Sequence, residues 1–181
     1  MKEDDDPALV RRCRQGDRAA FEQLVRRYEK PIFNVALRML HSGEDASDIA
    51  QTTFLKAFEH LEDYDPAYKF YSWIYRIAVN ESLNALASRK PIEELSIEQA
   101  DGSDGPEQHA QVEQLRRTIE IALAQIKPDL RMAIVLRHFM HLSYHDMSQV
   151  LDLPEKTVKS RLHGAREVLR ARLMALRSDV S

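Results

Sequence analysis

The sequence predicts an all-α protein, two small helical domains joined by a flexible acidic linker, and three observations predict it. Apolar residues recur every three or four positions through nearly every long segment, which places them on one face of a helix. Helix-start and helix-stop residues punctuate these segments, and no alternating strand pattern, internal repeat or Gly-rich phosphate loop interrupts them. From residue 91 to residue 111 the periodicity fails among acidic residues, Ser, Gly102, Gly105 and Pro106, as expected of a linker of roughly 20 residues. The predicted domains are therefore 1–90 and 112–181.

Asp6 and Pro7 make a helix start, Leu9, Val10 and Cys13 give it an apolar side, and Gly16 ends it. Asp17 caps the next helix, in which Phe21, Leu24, Val25 and Tyr28 follow helical spacing. After an expected bend near Pro31, Ile32, Val35, Ala36, Met39 and Leu40 continue it. A third helix, Glu44 to Leu61, is expected to bury Ile49, Thr53, Phe54, Ala57 and Phe58 and to leave Asp45, Asp48, Gln51 and Lys56 on more exposed faces as a candidate partner surface. Residues 62–69, with Tyr64, Pro66 and Tyr68, read as a loop.

The fourth helix carries a core stripe of Phe70, Trp73, Ile74, Ile77 and Ala78, with Tyr71, Tyr75, Arg76, Asn80 and Asn84 toward its other side. Rings, amides and a guanidinium are what unstacked bases require, for stacking, base edges and phosphates respectively. Helical aromatics more often fill a core, so the pattern alone leaves base binding open. In the second domain Val112, Leu115, Ile119, Ala122, Leu123 and Ile126 share a face, and a new helix starts at Pro128.

The last helical pair reads as a DNA-binding helix-turn-helix. Ser143 caps a short helix to Leu151, with Asp146 three residues on, and Asp152 and Pro154 stop it. A longer helix follows from Glu155, apolar along Val158, Leu162, Ala165, Leu169, Leu173 and Leu176 and basic elsewhere. A basic amphipathic helix by itself fits a solvated face or a membrane surface as well as DNA. The short helix and tight turn in front favour DNA, because they hold Lys156 to His163 where a major groove can receive them.

The net charge of −3 hides a segregation: seven Lys/Arg against two Glu from Pro154 to Arg177, and seven Asp/Glu with no Lys/Arg from Pro91 to Leu115. Cys13 is the only cysteine, so no internal disulfide is possible, and a small packed residue is expected there rather than a nucleophile. No apolar run approaches the roughly 18 residues a membrane span needs, and the acidic start MKEDDD is unlike a signal peptide, so no membrane insertion and a cytoplasmic location are expected. His138, His141 and His145 have tempting metal-ligand spacing, yet the break at Leu142 and Ser143 would scatter them. No catalytic residues, metal, cofactor or small-molecule substrate are expected, and the rival readings are a free-standing DNA-binding regulator and a metal-dependent enzyme using those histidines.

Five stretches in order, GDRAAFEQLVRRY, EDASDIAQTTFLKAF, FYSWIYRIAVNESLN, KPDLRMAIVLRH and LSYHDMSQVLDLPEKTVKSRLHGAREVLR, resemble the extracytoplasmic-function (ECF) group of bacterial sigma factors, near its RpoE-like members. The resemblance implies a sigma region 2 bundle, an acidic linker threading the polymerase cleft, and a sigma region 4 helix-turn-helix. It implies that Asp45, Asp48, Gln51 and Leu55 meet the β′ coiled coil of core RNA polymerase, with the β flap as a further contact. It assigns minus-ten melting and capture of a flipped base to Tyr64, Lys69, Tyr71, Arg76, Asn80 and Asn84. It assigns the minus-thirty-five element to Lys156, Thr157, Lys159, Ser160, Arg161, His163 and Arg166, with Arg137 and Tyr144 as backbone anchors. Promoter DNA and an anti-sigma factor are the other implied partners. Thr52 stands where the family usually has an acidic residue, Gly164 where close relatives often have Arg, and Asp65, Pro66 and Ala67 replace the usual Gly-containing loop.

Overall fold

The computed structural model describes residues 5–88 and 107–178. Helix α1 (Asp6–Arg14) is capped by Asp5, whose carboxylate accepts the Ala8 N–H at 2.9 Å. That is one residue earlier than the sequence suggests, and it frees Asp6 to accept hydrogen bonds from Arg27 and from the Tyr28 hydroxyl, clipping α1 to α2. Burial, and then Asp6, push the Tyr28 hydroxyl far above its ordinary pKa, which keeps it protonated as a donor.

Helix α2 (Arg18–Leu40) starts at Asp17, whose carboxylate accepts the Ala19 and Ala20 N–H groups and the Arg12 guanidinium. One 23-residue helix runs without interruption through Pro31, where a bend is expected. An interior proline costs about 3 kcal/mol. Leu24, Tyr28, Ile32 and Val35 are all buried on either side of it, and each buried side chain of this kind stabilises by about 1.5–3 kcal/mol, so packing outweighs the lost bond.

Helix α3 (Gly43–Glu59) begins at Ser42, which accepts the Asp45 N–H at 3.2 Å, and buries Ala46, Ala50, Thr53 and Ala57 against α2 and α4. Phe58, expected inside, is 54% exposed and packs edge-on with Phe21 at 5.1 Å. Phe21 belongs to the first turns of α2, so the cover over this end of α3 runs out there. A single turn at 61–63 leads to α4 (Phe70–Ser88), which Lys56 and Glu81 tie to α3 at 2.7 Å.

The second half contains α5 (Glu107–Ala124), α6 (Pro128–Ile134), α7 (Tyr144–Leu151) and α8 (Glu155–Ser178). The expected linker at 91–111 lies mostly outside the described residues, and its last five, 107–111, belong to α5. They have no apolar stripe, but Glu, Gln and Ala are good helix formers and extend the packed turns behind them. Helix α6 continues into a wider π turn, 135–139, closed by the Met140 N–H on the Val135 carbonyl at 3.1 Å. Val158, Leu162 and Ala165 of α8 are at most 1% exposed, packed with Met132, Leu136, Met147 and Val150.

The two halves lie against each other. Helix α7 rests on α4, and the buried residues of both halves form one continuous cluster. Arg131, 5% exposed, donates to the carbonyls of Leu123 and Ala124 at the end of α5, of Ile126 just beyond it and of Met39 at the end of α2. Arg38 lies 3.9 Å over the Phe139 ring, and desolvation lowers its pKa. Among the described residues no helix is long and apolar enough to cross a membrane.

Candidate nucleic-acid interface

The turn between α7 and α8 is built as the sequence suggests, with one difference. Ser143 caps α7 by accepting the Asp146 N–H at 3.0 Å, but Asp146 takes the Ser143 hydroxyl at 2.6 Å. Asp152 ends α7 in the left-handed region, φ 53°, and the Pro154 carbonyl accepts the first N–H groups of α8 from Thr157 and Val158. With Val158, Leu162 and Ala165 turned inward, Lys156, Ser160 and His163 point directly away from the core. Lys159 and Arg166 lie on one flank, Thr157 and Arg161 on the other. All are exposed except Arg161, which is half-buried.

Tyr144 ties this face to the preceding turn. The Arg137 guanidinium sits 4.9 Å from its ring and the Lys159 ammonium 5.4 Å, while Arg137 donates to the Leu142 carbonyl at 2.7 Å. Three residues expected to touch DNA are thus in mutual contact, and the ring restrains two long cations, lowering the entropy cost of ordering them on a phosphate. Arg166 donates to His138 Nε2 at 3.3 Å, and burial, with Arg166 and Arg137, lowers the His138 pKa. His145 meets Glu155 and Gln149 instead. Among the described residues no three His, Cys, Asp or Glu side chains gather where a metal ion could sit.

The second face is the start of α4 and the loop before it. Arg14 fixes the loop by donating to the carbonyls of Leu61, Glu62 and Tyr64, at 3.0, 3.1 and 2.6 Å. Tyr64 is buried, packed at 5.5 Å on both Phe70 and Trp73, and its hydroxyl holds the Tyr68 carbonyl at 2.6 Å. Beside it opens a cavity of about 300 Å³, lined by Asp63, Asp65, Tyr68, Ser72, Trp73 and Arg76, with Gln149 and Asp152 closing one wall. The Ser72 hydroxyl oxygen, in a residue 2% exposed, has no hydrogen-bond partner, nor does Gln149 Oε1. Asn80 and Asn84 follow Arg76 at one-turn intervals along α4, both exposed.

The sequence reading missed part of this site. Trp73 falls on the core stripe, and Tyr68 and Ser72 carry no spacing signal, yet all three line the cavity. Tyr75, expected on the ligand side, is 6% exposed, edge-on to Tyr28 at 6.2 Å, and burial, then Tyr71, push its hydroxyl up to about 12. Lys69 Nζ meets the Tyr71 hydroxyl at 3.0 Å and Asp146 Oδ1 at 3.2 Å, and Arg76 donates from Nε to the Gln149 carbonyl at 2.9 Å.

The third face is α3. Asp48, Gln51 and Leu55 are exposed, Leu55 at 57%, and Asp45 is half-buried in the first turn. Beside them a groove of about 490 Å³ runs between α2 and α3, lined by Val25, Lys30, Phe33, Ala50, Gln51 and Phe54. It is largely apolar, with the Gln51 amide, the Lys30 ammonium, the Glu29 carboxylate and the Ser47 hydroxyl as its polar groups, a shape suited to a helix from another chain.

Comparison with known proteins bears on all three faces. Residues 24–92 match Sigma-70 region 2 and residues 116–169 match Sigma-70, region 4. The chain is 34% identical to the RNA polymerase sigma-H factor of Pseudomonas aeruginosa, across 97% of both chains. It is 35% identical to the ECF RNA polymerase sigma-E factor of Haemophilus influenzae, across 94% of this chain and 96% of that one. Among solved structures it resembles CnrH in complex with the cytosolic domain of CnrY, with a TM-score of 0.74 and 28% identity over 95% of this chain and 99% of that one. It shares its fold with the sigma factor RpoE of Bartonella quintana, solved with the anti-sigma factor NepR, with a TM-score of 0.68 and 23% identity over 85% and 96%. Region 2 and region 4 in this order, with relatives of 34% and 35% identity along nearly the whole chain, show that the chain belongs to the extracytoplasmic-function sigma factors, which bind core RNA polymerase and direct promoter-specific transcription initiation.

Proposed function

We propose that the three faces divide initiation among them. Helix α8 reads the minus-thirty-five element with Lys156, Thr157, Lys159, Ser160, Arg161, His163 and Arg166, and Arg137 and Tyr144 hold the adjoining backbone. The cavity at the start of α4 receives a flipped non-template base, and Lys69, Tyr71, Arg76, Asn80 and Asn84 carry the strand along the helix, with Tyr64 supporting the loop. Helix α3 docks on the polymerase β′ coiled coil through Asp45, Asp48, Gln51 and Leu55, while the second domain meets the β flap. The protein acts in the cytoplasm and catalyses no reaction, because binding energy for splayed bases offsets the few kcal/mol of unstacking each costs.

The observation that carries this reading is the cavity: the aromatic rings of Tyr64, Tyr68 and Trp73 and a buried Ser72 hydroxyl without a partner suit a single base, and Arg76 stands on the lining with Asp63, Asp65 and Asp152. An anti-sigma factor fits the groove between α2 and α3, supported by the likeness to CnrH, itself solved with a second protein's cytosolic domain. Two exposed substitutions test the division. Asn80→Ala is expected to lower permanganate reactivity of the melted strand about tenfold while polymerase pull-down is unchanged, the loss of one base-edge contact. Asp48→Ala is expected to weaken the pull-down. Equal loss of both activities in both variants would refute the assignment.

A further inference from the structure

We propose that His138 is a positioning residue for promoter binding: its neutral ring holds the Arg166 guanidinium by one nitrogen and turns the open end of that fork toward a DNA backbone phosphate. This role rests on the reading of α8 as the helix that enters the minus-thirty-five element.

Arginine donates from three nitrogens and accepts with none, so a partner on Nε leaves the two terminal nitrogens as a fork that matches a phosphate. Arg166 donates its Nε–H to His138 Nε2 at 3.3 Å. Neighbouring cations of α8 are held differently: Lys159 lies 3.8 Å from the Glu155 carboxylate and Arg170 lies 3.4 Å from that of Glu167. A carboxylate neutralises the cation it restrains, and a phosphate must compete with it. A neutral ring nitrogen restrains the side chain and leaves its whole charge for DNA, which lowers the entropy cost of ordering it.

The place of Arg166 on α8 selects the phosphate. It lies about three turns from the helix start, on a flank of the outward face and beyond Lys156 to His163. The first turns of such a helix reach base edges, so a flanking cation further along faces the wall of the groove.

The ring is kept in the state this role needs. Burial, then Arg166 of α8, Arg137 of the same turn and His141 of the loop before α7, lower the His138 pKa below its ordinary 6.5. From α2, Arg38 stands over the neighbouring Phe139 ring. His138 is therefore neutral at pH 7.5, and with Nε2 accepting, its proton sits on Nδ1.

The test uses the full chain, with circular dichroism to verify that each variant folds; both residues are exposed. Nitrogen-15 spectra of the imidazoles should show the Nδ1–H tautomer at His138 in the parent and its loss in Arg166→Ala. The Arg166 Nε–H resonance should shift as pH falls below 6.5 in the parent and stay constant in His138→Gln, whose amide oxygen takes the place of Nε2 without titrating. Holoenzymes are then titrated at pH 7.5 with a promoter that the parent holoenzyme selects from a library randomised over the minus-thirty-five element. His138→Ala should bind about threefold more weakly, the cost of ordering one long side chain. His138→Gln should restore parental affinity, the shorter His138→Asn should not, and His138→Ala should add nothing in the Arg166→Ala background. An Nε2–H tautomer in the parent, parental affinity in His138→Ala, rescue by Asn as good as by Gln, or an equal loss with and without Arg166 would overturn the positioning role. The reading beneath it fails separately, if Arg166→Ala leaves both the affinity and the salt dependence of holoenzyme binding unchanged, where removal of one phosphate contact should make the logarithmic salt slope shallower by about 1.

Discussion

Replacing Arg131 by Met should be among the most damaging single changes in the second domain, although Arg131 touches no proposed ligand. Its guanidinium, 5% exposed, donates to four carbonyls, at Leu123, Ala124, Ile126 and Met39. These lie at or just beyond the C-terminal ends of α5 and α2, where carbonyls lack helical partners and the helix dipoles are negative. Each such bond to a charged donor contributes about 1.5–3 kcal/mol, and desolvation of the guanidinium offsets much of the sum. Methionine keeps the hydrocarbon but leaves the Ala124, Ile126 and Met39 carbonyls without the guanidinium, while Leu123 still accepts the Ile126 N–H at 3.1 Å, for an expected loss of about 3 kcal/mol. At about 2–4 °C per kcal/mol for a chain of this size, the melting temperature should fall about 6–12 °C. Arg131→Lys keeps the charge without the fork and should lose roughly half as much. Circular dichroism at 222 nm against temperature and urea measures both. A loss below about 1 kcal/mol for the Met variant, or a Lys variant equal to the parent, would refute this account of the capping.

Two further outcomes follow. Gly164→Ala should stabilise α8 by about 0.5–1 kcal/mol, because an added Cβ meets nothing within 4 Å, and should leave minus-thirty-five binding within twofold; differential scanning fluorimetry and gel shift with holoenzyme check both. Acidification should separate Asp146→Asn from the parent in a defined direction. Burial pushes the Asp146 carboxyl up, but hydrogen bonds from Ser143, Tyr71 and Lys69 hold it below its ordinary 3.8, so its contribution is full above that value and disappears as pH falls through the lower folded value. Urea unfolding should therefore show a stability gap between parent and variant at pH 7 that closes as the pH falls below 3.8, whereas a gap that widens with acid would contradict the sign.

Much of the site was readable residue by residue because helical spacing sorts faces. Lys156, Ser160 and His163 point outward since Val158, Leu162 and Ala165 must point inward, a relation that needs no knowledge of the partner helices. The same logic placed Asp48, Gln51, Asn80 and Asn84 on open surface. It failed where the outcome depends on what lies opposite. Phe58 fits the core stripe of α3, but it stays 54% exposed beside Phe21 at the start of α2. Tyr75 sits beside exposed positions on α4, yet Tyr28 and Tyr71 enclose it.

The sequence by itself determined the helices, the turn at Asp152 to Pro154, the sorting of charge and the family, since each depends on local periodicity, caps or residue order. Only the tertiary structure decided that Trp73, Tyr68 and Ser72 form one cavity, that Arg131 closes the ends of two helices, and that α7 lies against the start of α4. These join residues tens of positions apart, 77 between Lys69 and Asp146 and 92 between Arg131 and Met39. No local rule links such pairs: their geometry is set by how whole helices pack, and a polar side chain reveals its partner only once packing has brought one within reach.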